Sequence, residues 1–293
     1  MASSTATLPK QLTTAPPQVA NVIISFPAEH VVLVMLNRPK QLNAIPKPQH
    51  AVLAGLWRWY DDEPWLRCAV LTGSGRAFCA GADLREWDDT HKPQSQQSQP
   101  QPAGSNTTIV NVGGFGGMAN RGGKKPIVLA VNGLALGGGM EMVINADIVV
   151  AAASARFGLP EVSRGVIAVA GALPRLVRVV GRQRAAEMAL LGRTSYTAEQ
   201  MREWGLVNFV VPAEGDVVDE ALRVAKEMAA NSPDAVIVSR EGLRLGWEGM
   251  GPEAATEILA GGLYGRIDGG ENMLEGVRSF VEKRKPVWRD SKL

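Results

Sequence analysis

The pattern of apolar and polar positions divides this 293-residue chain into short strands, a strand–helix alternation and a closing run of helices. Residues 21–26 and 31–36 are β-branched apolar runs around Pro27-Ala28-Glu29-His30, which predicts a hairpin. Residues 36–48 (LNRPKQLNAIPKP) carry three prolines and predict irregular chain, because proline lacks the N–H that a helix or strand interior needs. Val52, Leu53, Leu56, Trp57 and Tyr60 then recur at helical spacing, and Asp61-Asp62 with Pro64 marks the stop. Residues 68–72, 127–131 and 147–152 read as buried strands. Between the last two, residues 130–147 (AVNGLALGGGMEMVINAD) place Gly137, Gly138 and Gly139 at the start of an apolar helix. This rhythm predicts an α/β fold with a right-handed crossover.

Helices dominate after residue 196. Thr197 with Gln200 has capping-box spacing, Asp216 precedes the helical run 217–230, and Ser232-Pro233 is an N-cap followed by proline at the first helical position. The last 60 residues carry apolar positions at Leu243, Leu245, Trp247, Ile258, Leu259, Met273, Leu274, Val277 and Phe280, as expected of helices that dock on the core or on a partner subunit. The domain reading is a disordered tail over 1–19, a core over 20–215 and a helical oligomerisation region over 216–293. Residues 88–125 differ in composition: a glutamine-rich tract at 94–101 precedes Gly113-Gly114-Phe115-Gly116-Gly117. That predicts a mobile insertion or a flap over a pocket, with disorder over 93–105.

Composition narrows the function classes. A net charge of +2 gives no electrostatic footprint for nucleic acid, so no nucleic-acid partner is expected. No apolar run reaches the roughly 20 residues of a membrane helix, so no membrane span is expected. Cys68 and Cys79 sit in apolar surroundings, and His30, His50 and His91 fit no ligand spacing, so no metal is expected. The ending Ser291-Lys292-Leu293 is the tripeptide read by the peroxisomal import receptor, which places the protein in the peroxisomal matrix, with cytoplasm or mitochondrion as alternatives.

Two glycine-containing turns, around Ala82 and Gly138, each follow a strand and each can turn a backbone N–H into a shared cleft. Paired N–H donors stabilise an oxyanion, one such donor being worth about 3 kcal/mol of barrier. Glu141 and Glu161 are the candidate acid and base, because burial and mutual repulsion can keep one carboxyl protonated beside an ionised one. By spacing alone, the same features also fit a structural turn whose glutamate favours a helix start.

In combination the segments are more specific. Leu36-Asn37-Arg38-Pro39 with Leu42-Asn43-Ala44, Arg76-Ala77-Phe78-Cys79-Ala80-Gly81-Ala82-Asp83-Leu84, the glycine stretch, Phe157-Gly158-Leu159-Pro160-Glu161 and Trp204-Gly205-Leu206-Val207 occur in one order. From about residue 20 onward the chain resembles the crotonase (enoyl-CoA hydratase/isomerase) superfamily. The resemblance implies a crotonase-type spiral core of stacked strands and helices, a C-terminal helical region, and homotrimers or homohexamers. It implies an oxyanion hole from the Ala82 and Gly138 N–H groups around the thioester carbonyl of an acyl-CoA, which is substrate rather than cofactor. It further implies syn addition of water to a 2-enoyl-CoA, or the reverse. Glu141 would be the base that takes a proton from water and Glu161 the acid that protonates C2. Leu42, Ala80, Asp83, Leu84 and Arg85 fall where the family lines the CoA site, and Lys283 and Arg284 where CoA phosphates are met. The chain departs from the family at Val169, where a glycine is usual, and this narrows the site near the water. Gly113 to Met118 and the ending Glu282-Lys283-Arg284-Lys285-Pro286-Val287-Trp288 look more like the carnitinyl-CoA dehydratase branch. The rival activities are Δ3,Δ2-enoyl-CoA isomerisation, which needs one carboxylate, and a non-catalytic acyl-CoA-binding subunit. Trp57, Trp59 and Trp65 are expected in core packing, and Trp87 in the acyl pocket.

Overall fold

A computed structural model of the chain describes residues 8–83 and 113–293. The predicted hairpin is β1 (Val22–Ala28) paired antiparallel with β2 (Val31–Leu36). Three further strands, β3 (Cys68–Gly73), β5 (Ile127–Val131) and β7 (Ile148–Ala152), extend it in parallel, and β10 (Phe209–Val211) closes the order β1-β2-β3-β5-β7-β10. Side chains alternate across this sheet. Val32, Val34, Leu71, Leu129 and Val149 face the main core, while Val31, Leu33, Val70, Val128 and Val150 face a second cluster. Burial on both faces explains why these strands read as unbroken apolar runs.

Strands β3, β5 and β7 are each followed by a short one in a second sheet, whose order is β4 (Ala77–Cys79), β6 (Leu134–Leu136), β8 (Arg156–Gly158) and β9 (Tyr196–Thr197). The chain therefore passes from the large sheet to the small one at β3–β4, β5–β6 and β7–β8, giving three stacked turns of a crotonase-type spiral. The functional turns lie at the exits of β4 and β6.

Helix α1 (Gln49–Asp62) buries His50, Leu53, Leu56, Trp57 and Tyr60, the last four at the predicted spacing. Helix α2 (Gly138–Ile144) opens on the glycine run and is buried along its whole length. Helices α3 (Ala172–Val180), α4 (Arg182–Leu191) and α5 (Ala198–Glu203) follow, and the Thr197–Gln200 capping box is formed. Asp216 caps α6 (Val217–Ala229), which lays Val217, Ala221, Leu222, Val224 and Ala225 against the outer face of the large sheet. Ser232 caps α7 (Pro233–Trp247), and α8 (Pro252–Leu259) and α9 (Glu271–Val281) complete the C-terminal region. On α9, Leu274, Val277, Phe280 and Val281 are exposed, Phe280 to 84%.

Residues 8–19, assigned to the tail by composition, lie against the end of α1. Thr13 and Thr14 donate backbone N–H groups to the Glu63 carboxylate, and Val19 is buried. Trp57 and Trp65 are core residues, as expected. Trp57 Nε1–H donates to the Gly116 carbonyl at 3.0 Å and so fixes the glycine-rich turn above α1. Trp87 and the 93–105 stretch lie outside the described residues.

Candidate active site

Several loops are brought together by one buried side chain. Asn43 Nδ2–H donates to the Ala77 and Ser74 carbonyls at 2.7 and 2.9 Å, while its Oδ1 accepts from the Arg38 N–H at 2.8 Å. This ties the Asn-Arg-Pro loop to β4. Arg38 then reaches Asp83 at 2.9 Å and holds the turn just after Ala82. Two backbone bonds strengthen the same link, Ala80 N–H to Leu42 O and Ile45 N–H to Gly81 O, each 3.0 Å.

The turn at Gly81-Ala82 abuts the start of α2. A methyl group built on Gly81 would lie 3.1 Å from the Gly138 nitrogen, so the two turns sit backbone to backbone. Gly138 is the first residue of α2, where N–H groups have no partner within the helix. At Gly137, φ is +55°, and an added Cβ would stand 3.2 Å from Glu161 Oε1. At Gly138 it would run into the Phe115 ring at 2.3 Å. The glycines are thus required by the approach of Glu161 and Phe115 as well as by the turn itself.

Gly81, Ala82, Gly137, Gly138, Glu141, Glu161 and Val169 all line one cavity of about 360 Å³. Ala80 and Asp83 also border it. Glu141 is 3% exposed, and its Oε1 accepts the Ala170 N–H at 2.9 Å. Burial, and then the Glu161 charge, push its carboxyl up to about 7. Glu161 stands in the short turn of residues 161–164; burial raises it as well, and its Oε2 is enclosed without a hydrogen-bond partner among the described residues. Two such carboxyls in one cavity titrate as a unit, and burial raises both.

The other predicted positions fall as follows. Leu42 is half-buried with φ +51° and meets Ala80 through its carbonyl, outside the cavity lining. Val169 lies on the cavity wall beside Ala170 and is half exposed. Its φ is not in the left-handed range, so this position does not need glycine's torsional freedom. Lys283 is exposed at the end of α9, away from the cavity of its own chain, and Arg284 is ion-paired with Glu275 and Glu282. Leu84 and Arg85 lie outside the described residues. Several lining residues were absent from the sequence reading of the site, among them three with polar or aromatic side chains. His50, Phe115 and Arg164 all face the cavity. His50 was screened only as a metal ligand, and its place on the buried face of α1 was the signal available.

The fold that brings these two turns and the carboxylate pair to one cavity is of the crotonase type. The family model for enoyl-CoA hydratase/isomerase matches residues 27–291, and the chain belongs to that family. It is 62% identical over 281 residues to a mevalonyl-coenzyme A hydratase of Beauveria bassiana, covering 96% of this chain and 99% of that one. It is 49% identical, with the same coverage, to a mevalonyl-coenzyme A hydratase of Aspergillus fumigatus. Among solved structures, an enoyl-CoA hydratase of Bacillus anthracis superposes with a TM-score of 0.80 at 31% identity, over 92% of this chain and all of that one. The chain is accordingly an acyl-CoA hydratase-type lyase.

Proposed function

We propose that the protein adds water across the 2,3 double bond of a branched 2-enoyl-CoA of the mevalonyl type, or removes it from the 3-hydroxy thioester. The observation that carries this reading is the Glu141–Glu161 pair in the cavity where the Ala82 and Gly138 turns meet. The Ala82 and Gly138 N–H groups hold the thioester carbonyl and stabilise the enolate oxygen. In the addition direction, ionised Glu141 takes a proton from the water that attacks C3, and Glu161 delivers its proton to C2. In the elimination direction, Glu141 protonates the departing C3 hydroxyl while Glu161 takes the C2 proton.

The pantetheine arm runs past Ala80 and Asp83, close to Leu42, and Leu84 and Arg85 follow Asp83 in the sequence. Lys283 serves the CoA phosphates of a neighbouring copy, and the exposed apolar face of α9 is the surface for trimer or hexamer assembly. Val169 narrows the wall beside the water and favours a compact, branched acyl group. Ser291-Lys292-Leu293 directs the protein to the peroxisome.

The test is loss of the conjugated enoyl-thioester absorbance with wild type, Glu141→Gln and Glu161→Gln. Wild type should turn over, and each variant should lose about 10²–10⁴-fold, the usual worth of a general acid or base. Conversion of a 3-enoyl-CoA to a 2-enoyl-CoA without water addition would replace this reading with isomerisation. Acyl-CoA binding without turnover in either direction would replace it with a non-catalytic role.

A further inference from the structure

We propose that His50 is a specificity-determining residue that donates a hydrogen bond from Nε2–H to an oxygen carried by the acyl chain beyond C3. The inference rests on the reading of the cavity as the acyl-CoA site. His50 is the second residue of α1 and, though 3% exposed, it forms part of the cavity wall. Its Nδ1 accepts the Gly116 N–H at 3.0 Å. Burial lowers the imidazole to about 4, so it is neutral wherever the enzyme works. A neutral imidazole that accepts at one nitrogen carries its hydrogen on the other. The Gly116 bond therefore fixes the tautomer, and the polar group left for a ligand is a donor.

Geometry locates the partner along the chain. The Phe115 ring packs against Gly138, at the oxyanion turn, and His50 meets the same ring edge-on at a centroid distance of 4.6 Å. His50 thus stands one aromatic ring beyond the position of the thioester carbonyl. Its partner is neither that carbonyl nor the C3 hydroxyl, which belongs between Glu141 and Glu161. An oxygen at C5 satisfies this placement, and the mevalonyl group carries a hydroxyl there by its own structure. A plain alkyl chain would leave the imidazole N–H buried without an acceptor, the condition that makes polar sites reject apolar analogues.

The experiment compares kcat/KM for 5-hydroxy-3-methylpent-2-enoyl-CoA and 3-methylpent-2-enoyl-CoA in wild type, His50→Leu and His50→Gln. Wild type should prefer the hydroxylated substrate by about tenfold or more. His50→Leu should bring the ratio to within about threefold of unity, and His50→Gln, which keeps a donor, should retain part of the preference. Each variant is first checked by thermal melting, since Leu leaves the Gly116 N–H without its acceptor. If His50→Leu unfolds, His50→Met takes its place, because the thioether keeps a weak acceptor for the Gly116 N–H and has no donor, and an undiminished preference there overturns the proposal. A wild-type ratio near unity, or a ratio unchanged in both variants, overturns the role of His50 while leaving the hydratase reading intact. Failure of wild type on both thioesters overturns the hydratase reading, and the His50 proposal with it.

Discussion

The Ala170 N–H donates to Glu141 Oε1 across 2.9 Å, joining a carboxylate at the start of one helix to the small-residue loop before the next. The bond fixes one Glu141 oxygen, and the Ala172 backbone also favours the ionised carboxyl. Because the donor favours the ionised carboxyl, it works against the burial that pushes Glu141 up to about 7.

That balance sets a pH dependence of stability. The Glu141 carboxyl is raised from its ordinary value of 4.5 in the folded state. Between those two pH values the folded chain holds more protons than the unfolded one, so stability falls as pH rises through the window. Glu141→Gln removes this loss. We expect the variant to be more stable than wild type at pH 8 by on the order of 2–3 kcal/mol, and the difference to shrink towards pH 4.5. Denaturant melts at pH 5 and pH 8 give the measurement; a difference independent of pH would contradict it.

Gly138→Ala places a methyl 2.3 Å from the Phe115 ring. The ring must move, and with it the wall that separates the oxyanion turn from His50. Overpacking of this kind costs about 1–3 kcal/mol. Activity should fall further than stability, and Phe115→Leu in the same chain should restore melting more than it restores kcat.

Asp83→Asn weakens the bond that ties Arg38 to the turn bearing Ala82. The pair is mostly buried, so loss of its charge should cost about 1–3 kcal/mol. A displaced Ala82 N–H should lower kcat more than it raises KM for the thioester. An unchanged kcat with a lower melting temperature would mean that the pair stabilises the fold without aligning the hole.

The terminal tripeptide is not splayed into solvent. Ser291 is buried and donates through Oγ to Asp234, Lys292 pairs with Glu271 at 3.0 Å, and Lys124 Nζ reaches the Leu293 carbonyl at 3.2 Å. On the proposed peroxisomal address, the receptor draws the end away from α7. Removing Leu293 should leave a fluorescent fusion in the cytosol, while Asp234→Ala should raise the rate of peroxisomal accumulation. Unchanged accumulation without Leu293 would refute the address.

The inner strands of the large sheet, β2, β3, β5 and β7, were legible because they are buried on both faces and appear as apolar runs such as 68–72 and 127–131, whereas the three residues of β10 were not. The helix starts at Thr197, Asp216 and Ser232 were legible because capping chemistry is local. The small sheet was not, since strands of two or three residues carry no periodicity. Glu141, Glu161, Ala82 and Gly138 were identified through their motifs, and the structure brings them to one cavity. What spacing alone could not supply was the role of Asn43, whose three hydrogen bonds join segments more than 30 positions apart. His50 escaped because its significance depends on Gly116 and Phe115, which reach it from a distant turn.

The proposed division of labour between Glu141 and Glu161 also sets a condition on repeated turnover. In that mechanism each addition of water leaves a proton on Glu141, and each elimination leaves it on Glu161. The enzyme released from one turnover is therefore a protonation isomer of the enzyme that began it. Before the next turnover in the same direction, the carboxyls must exchange their proton through solvent, and this reset is a kinetic step distinct from chemistry or product release.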